Sequence, residues 1–120
     1  MAKNEIKIDF HKKEVRGSVS IVNFFADGYF IYYLPSLNIS SYGKTEKEAA
    51  EMLRYSVHEY SEAILVAGPA KAHEELQQLG WKRSPLFKKR YNGPYVDKEG
   101  ILKQFDLPKN TIIRESQLSV

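Results

Sequence analysis

The hydrophobic period of this chain changes at one place, and that change constrains the fold more than anything else in the sequence. Tyr29-Phe30-Ile31-Tyr32-Tyr33-Leu34 is aromatic and β-branched, which suits a strand. Pro35 cannot donate to a ladder, so it ends that strand or sits at its edge. Leu37 to Tyr42 reads as another short strand and stops at Gly43. Beyond it, Ala49, Leu53, Val57, Tyr60 and Ile64 recur at spacings of three and four, with Met52 beside them, which is the period of an amphipathic helix. Glu46, Lys47, Glu51, Arg54, Glu59 and Glu62 lie mostly on the other side and read as a solvated face. Thr45 is a good N-cap, and Glu48 three residues later completes a capping box. Gly43 is expected to hold a backbone conformation that a residue with a β-carbon would adopt only at a cost.

Upstream, Asp27-Gly28 is a strong hairpin signal, because a type I′ turn needs positive φ at both central positions. It joins Val15–Ala26 to Tyr29–Leu34. Ile6-Lys7-Ile8-Asp9-Phe10 alternates apolar and polar and suits a short edge strand. The expected fold is α+β: a three-stranded antiparallel meander with a long helix packed on one face. Gly68-Pro69 should stop that helix and open a second, short one over Ala70–Leu79. Gly80 ends it, and Trp81 is expected in the core. Tyr91-Asn92-Gly93-Pro94-Tyr95 has turn chemistry and is expected to be irregular. Asp97 caps a short helix running to Phe105.

The end of the chain admits two readings. Residues 101–114 have the rhythm of a helix-turn-helix that would offer Lys109, Asn110, Thr111 and Arg114 to DNA. Only six residues follow Arg114, which leaves no third helix to support the pair. A terminal strand over Thr111–Val120 is favoured. The expected division is residues 1–84 as an α/β core and residues 85–120 as a C-terminal extension that returns to it.

The strand doublet ending in Tyr33-Leu34-Pro35-Ser36-Leu37, then Tyr42-Gly43-Lys44-Thr45-Glu46-Lys47-Glu48-Ala49 and a long helix, resembles the HicB-like proteins. These are the antitoxin halves of HicA–HicB pairs and their stand-alone relatives. Gly43-x-Thr45-x-x-Glu48-Ala49 is the most specific piece, and Pro35-x-Leu37 the next. The resemblance covers Val19 to Trp81, and Glu75-Leu76-Gln77-Gln78-Leu79-Gly80-Trp81 is similar to a feature of some stand-alone members. It implies a βββα core like a partial RNase H fold. It also implies a HicA-like toxin as partner and assembly into a homo-oligomer through the strands; a cytoplasmic setting is expected from the lack of a signal-peptide pattern and of cysteine. Many such antitoxins carry a C-terminal DNA-binding segment, so DNA is the alternative partner.

The chain has 120 residues and 42% apolar side chains, enough for one modest core. It has no cysteine, which excludes disulfides, thiolate zinc sites and cysteine nucleophiles. No apolar run approaches the ~20 residues of a membrane span, and no signal-peptide pattern opens the chain. The formal charge is +3. Residues 1–60 balance at 8 basic and 8 acidic, whereas residues 61–120 hold 10 basic and 7 acidic. Lys82, Arg83, Lys88, Lys89 and Arg90 form a run without an acid between them, either a solvated loop or a contact for phosphates or an acidic partner surface. With Lys109 and Arg114 they are the candidate contact residues.

No active site is legible, and no cofactor is expected. His11, His58 and His73 stand far apart without ligand-like neighbours, and His58 falls on the polar side of the long helix. Two-metal nuclease chemistry needs several carboxylates converging from strands and a helix. Asp27 is better explained by its turn and Glu48 by capping. If alternate residues of Tyr29–Leu34 face the helix, aromatics remain on the outer face. A base-stacking platform, a second copy of the chain or a covering tail would each account for them.

Overall fold

The computed structural model describes residues 3–120. Among them seven strands form one antiparallel sheet: β1 (Glu5–Asp9), β2 (Glu14–Ala26), β3 (Tyr29–Leu34), β4 (Ile39–Gly43), β5 (Lys82–Arg83), β6 (Arg90–Asn92) and β7 (Arg114–Ser119). The helices are α1 (Glu46–Ala67), α2 (Pro69–Gln78) and α3 (Lys98–Gln104). The class is α+β, as expected. The meander is β2–β3–β4, and the sheet extends beyond it through β1, β6 and β5 in that order.

The long strand β2 is the axis of the sheet. Val22 and Asn23 pair with Tyr33 and Tyr32 of β3 and also with Glu115 and Arg114 of β7. So β3 and β7 flank β2 on opposite edges. Ser18 pairs with Glu5 of β1 and with Ser119 of β7, which puts β1 on the same edge as β3, in tandem with it. The gap between the two is filled by a side chain. Asn4 Oδ1 accepts from the Ser20 N–H at 2.8 Å, and Asn4 Nδ2 donates to the Pro94 carbonyl at 3.0 Å. A buried donor that no strand reaches is thereby satisfied.

Both faces of β2 are covered. Val19 and Ile21 face Leu53, Val57 and Ile64 of α1 and Leu76 of α2, joined by Ile6, Ile8, Leu34 and Trp81. Val22 and Phe24 face the other way, toward Tyr33, Ile101 of α3 and Ile113. The α1 stripe is as expected: Ala49, Leu53, Val57 and Ile64 are buried, and Tyr60 is half-buried. Each fully buried aliphatic of this kind contributes roughly 1.5–3 kcal/mol of transfer free energy.

The local signals explain the joints. Asp27 and Gly28 have φ of 54° and 83°, as a type I′ turn requires. Thr45 Oγ1 accepts from the Glu48 N–H at 3.1 Å, and Ser41 Oγ donates to the Ala49 carbonyl at 2.7 Å, tying β4 to the first turns of α1. Gly43 differs from expectation. It is not among the positive-φ glycines. A β-carbon there would lie 2.8 Å from the Ala49 nitrogen and 2.9 Å from Glu48 Cβ, so close approach of the helix, not backbone conformation, requires glycine.

Two other expectations are corrected, and of the alternatives for the outer aromatic face the covering tail is the one found. β1 is not an edge strand, because β6 pairs with its free side at Glu5–Lys7. Residues 90–92, within and beside the stretch expected to be irregular, are that strand, and residues 82–92 form a β5–β6 hairpin. The outer aromatic face is covered over Phe24 and Tyr33 by α3, whose C-cap Phe105 meets their rings edge-on at 5.2 and 4.9 Å. Tyr42 stays exposed at the far end, beside Tyr29. The terminal segment is a strand: β7 pairs with β2 over Ser18–Asn23, and Val120 continues the pairing to Gly17. Residues 85–120 thus supply two strands to the one sheet and a helix to its outer face.

Candidate partner or nucleic-acid interface

The basic run folds into the β5–β6 hairpin. Its turn is held by the Ser84 N–H on the Arg90 carbonyl at 2.8 Å and the Arg90 N–H on the Phe87 carbonyl at 2.9 Å. Phe87 also donates its N–H to Ser84 Oγ at 3.2 Å. This short turn splits the run. Lys82 and Lys88 are exposed, and among the described residues neither has an ion-pair partner. Arg83 is occupied within the fold. Its Nε and Nη2 donate to the Tyr91 hydroxyl at 3.2 and 3.1 Å, and that hydroxyl lies 3.0 Å from His73 Nδ1.

Lys89 is also engaged. Its Nζ donates to Asp9 Oδ2 at 3.0 Å. Asp9 Oδ1 accepts from the main-chain N–H groups of His11 and Lys12 at 3.1 and 3.0 Å. The Lys12 N–H first, then the Lys89 hydrogen bond, hold the Asp9 carboxyl down from 3.8 to about 2. The β1–β2 connection and the β5–β6 turn are therefore pinned together by one carboxylate.

Arg90 belongs to a constellation that sequence reasoning missed. In the β6–β1–β2 register, Lys7 lies opposite Arg90 on one side and opposite Arg16 on the other. All three are exposed, on the face opposite Ile6 and Ile8. The period-2 pattern around Lys7 marked it as outward-facing. Nothing in a single sequence indicated which strands would flank it, so the row was invisible. Arg16 Nε has Glu14 at 3.4 Å and Arg90 Nη1 has Glu5 at 4.0 Å, both well exposed. Arg90 also sits 5.0 Å over the ring of Phe87, which is 57% exposed.

Lys109 and Arg114 are not part of this surface. Lys109 lies exposed in the turn after α3, and Arg114 opens β7, 4.0 Å from Glu46 at the start of α1. They share no helix.

A groove of ≈ 490 Å³, which shares Arg16 with the row, runs between α1 and the β7 side of the sheet, lined also by Arg54, His58, Glu62, Leu118 and Val120 among others. His58 is exposed there, 4.0 Å from Glu62. Among the described residues no group of three or more histidines and carboxylates is arranged to hold a metal ion, and no helix is long and apolar enough to cross a membrane. Comparisons with family models, with curated proteins and with solved structures find no match to this chain.

Proposed function

We propose that the chain is a non-catalytic binding protein of the HicB-like antitoxin type, which neutralises a small HicA-like RNA-cleaving toxin by covering its active surface. The observation that carries this reading is the joint around Gly43. The residues that bear the resemblance, Gly43, Thr45, Glu48 and Ala49, are the ones that seat α1 on the β2–β3–β4 meander. The same βββα unit is what the resemblance implies for a partial RNase H-like core. Self-association through the strands and a place in the cytoplasm beside the toxin belong to the same proposal.

The test begins with a short reading frame adjacent to the gene for this chain. Its product, expressed alone, should arrest growth and cleave RNA. Co-expression with the present chain should relieve the arrest and yield a copurifying complex. Failure of any neighbouring product to bind decides against the reading. So does metal-dependent RNA cleavage by the present chain that persists through rigorous purification.

A further inference from the structure

The row Arg90–Lys7–Arg16 is an arrangement that a sheet ordinarily avoids, since like charges directly opposite one another destabilise a strand pair. Here two such juxtapositions share Lys7, and among the described residues Lys7 has no ion-pair partner. Three shallow hollows of the surface meet at this lysine. Around the central three cations, Lys3, Lys12, Lys88 and Lys89 line the same hollows, against only Glu5, Asp9 and Glu14. This one end of the sheet therefore carries a larger positive excess than the +3 of the whole chain. Helix α3 packs on the same face but over Val22, Phe24 and Tyr33, leaving the cationic end open.

An aromatic ring stands at the border of the row. Phe87 is exposed and holds the Arg90 guanidinium over its face. Cations that track a backbone, with an exposed ring beside them, are the elements of a single-strand binding surface. The cations of the row lie side by side on a sheet face, and no helix stands among them to enter a duplex groove. An accessible ring is of use only to bases that are already unstacked.

We propose that the open β6–β1–β2 end of the sheet binds single-stranded nucleic acid, with phosphates on Lys7, Arg16 and Arg90 and a base on Phe87. The inference stands on the register, the charges and the exposed ring of Phe87, and is independent of the antitoxin reading.

Fluorescence anisotropy on the full chain tests it, with labelled oligo-U and oligo-dT of about 12 nucleotides, within the span such surfaces occupy, and a duplex of equal length. Binding of either single strand should weaken steeply between about 50 and about 200 mM salt. The variant K7Q/R16Q/R90Q should bind about tenfold more weakly or worse, with its log–log salt slope flattened by about 2, as loss of three single-strand phosphate contacts requires. F87A should lose about tenfold in affinity at an unchanged slope. The charge-matched control K47Q/K71Q/K98Q, on exposed helix positions, should bind as the parent does. Because the triple variant removes a repulsion, its urea midpoint should equal or exceed the parent's. Four results would overturn the proposal: no salt-dependent binding, an equal loss in the charge-matched control, duplex bound as tightly as single strands, or a lowered midpoint that makes the row structural.

Discussion

The indole N–H of Trp81 donates to the main-chain carbonyl of Ser36 at 2.6 Å, across 45 residues of chain. Trp81, three residues past the end of α2, thereby closes over the Pro35–Leu37 turn of 3-10 helix between β3 and β4. Trp81 is 1% exposed, and the main chain of Gly93 lies against its ring so closely that a β-carbon there would stand 2.7 Å from it. One side chain thus links the meander, the second helix and the segment that leads to α3.

Trp81→Phe should therefore cost more than the ring area it removes. It leaves the Ser36 carbonyl buried without its donor, a penalty of about 1–3 kcal/mol, in addition to the cavity left by the smaller ring. Gly93→Ala should destabilise through overpacking, by about 1–3 kcal/mol. Urea titration followed by circular dichroism measures both. Unchanged midpoints would show that this contact holds nothing together.

The Gly43 joint makes a graded prediction. Thr45→Ala removes the acceptor for the Glu48 N–H and should cost about 1 kcal/mol. Gly43→Ala should cost as much or more, because its new β-carbon meets main-chain atoms of α1 that cannot rotate away. Thermal melts that coincide with the parent's for both variants would remove the organising role assigned to this joint.

Asp9 gives the acid limb of the stability curve a specific cause. Its folded-state pKa, about 2, lies below its ordinary 3.8, so the unfolded chain binds that proton more tightly. The resulting stabilisation is complete above about 4 and is lost as pH falls through about 2. Asp9→Asn keeps an acceptor for the His11 and Lys12 N–H groups but loses the charge facing Lys89. The variant should be less stable than the parent at neutral pH, and the gap should close over that acid window. A gap that stays constant down to pH about 2 would assign the acid sensitivity to other carboxylates.

Tyr60 is half-buried, and among the described residues its hydroxyl has no hydrogen-bond partner. Burial first, and the nearby Glu75 carboxylate second, push its ionisation upward. Removing an unpaired buried hydroxyl relieves a desolvation penalty. Tyr60→Phe should leave stability unchanged or raise it by up to about 1 kcal/mol. A clear loss in the same urea assay would reveal a partner for that hydroxyl.

The parts of the fold that were legible are those whose signals are local. Asp27-Gly28, the Thr45 cap, the α1 stripe, Pro69 at the start of α2 and Asp97 capping α3 each act within a few residues of themselves. What was not legible depends on contacts made at long range. Residues 90–92 carry no strand pattern of their own and become β6 only because the free edge of β1 accepts them. The Asn4 plug on Ser20 and the Phe105 cover over Tyr33 are equally non-local. The candidate site divided along the same line. Lys82 to Arg90 stood out as a charge run, but pairing consumed Arg83 and Lys89 and brought Arg90 to Lys7 and Arg16, far away in sequence.

The C-terminal strand carries the last prediction. β7 covers the free edge of β2 over Ser18–Asn23, and Gly17 and Val120 exchange two further main-chain hydrogen bonds at 3.3 and 3.0 Å. Ile113 is buried against Val22, Phe24, Tyr33 and Ile101, while Leu118 and Val120 pack on the α1 side. Truncation after Pro108 strips all of this at once. It uncovers a long strand edge, the surface on which chains pair with one another, and it opens the outer core. The truncated chain should be insoluble or should elute as aggregates in gel filtration. K109A/R114A should behave otherwise, because Lys109 is exposed and Arg114 reaches only the exposed Glu46 at 4.0 Å. A surface pair of that kind is worth about 0–1 kcal/mol, so this variant should stay soluble with a midpoint close to the parent's. A C-terminal reader of DNA requires the opposite pattern: a truncated chain that remains folded and monomeric, and an operator complex that K109A/R114A abolishes together with its salt dependence. Gel filtration of the two variants beside the parent, followed by titration of each with promoter DNA, separates a strand that completes the fold from a segment that reads sequence.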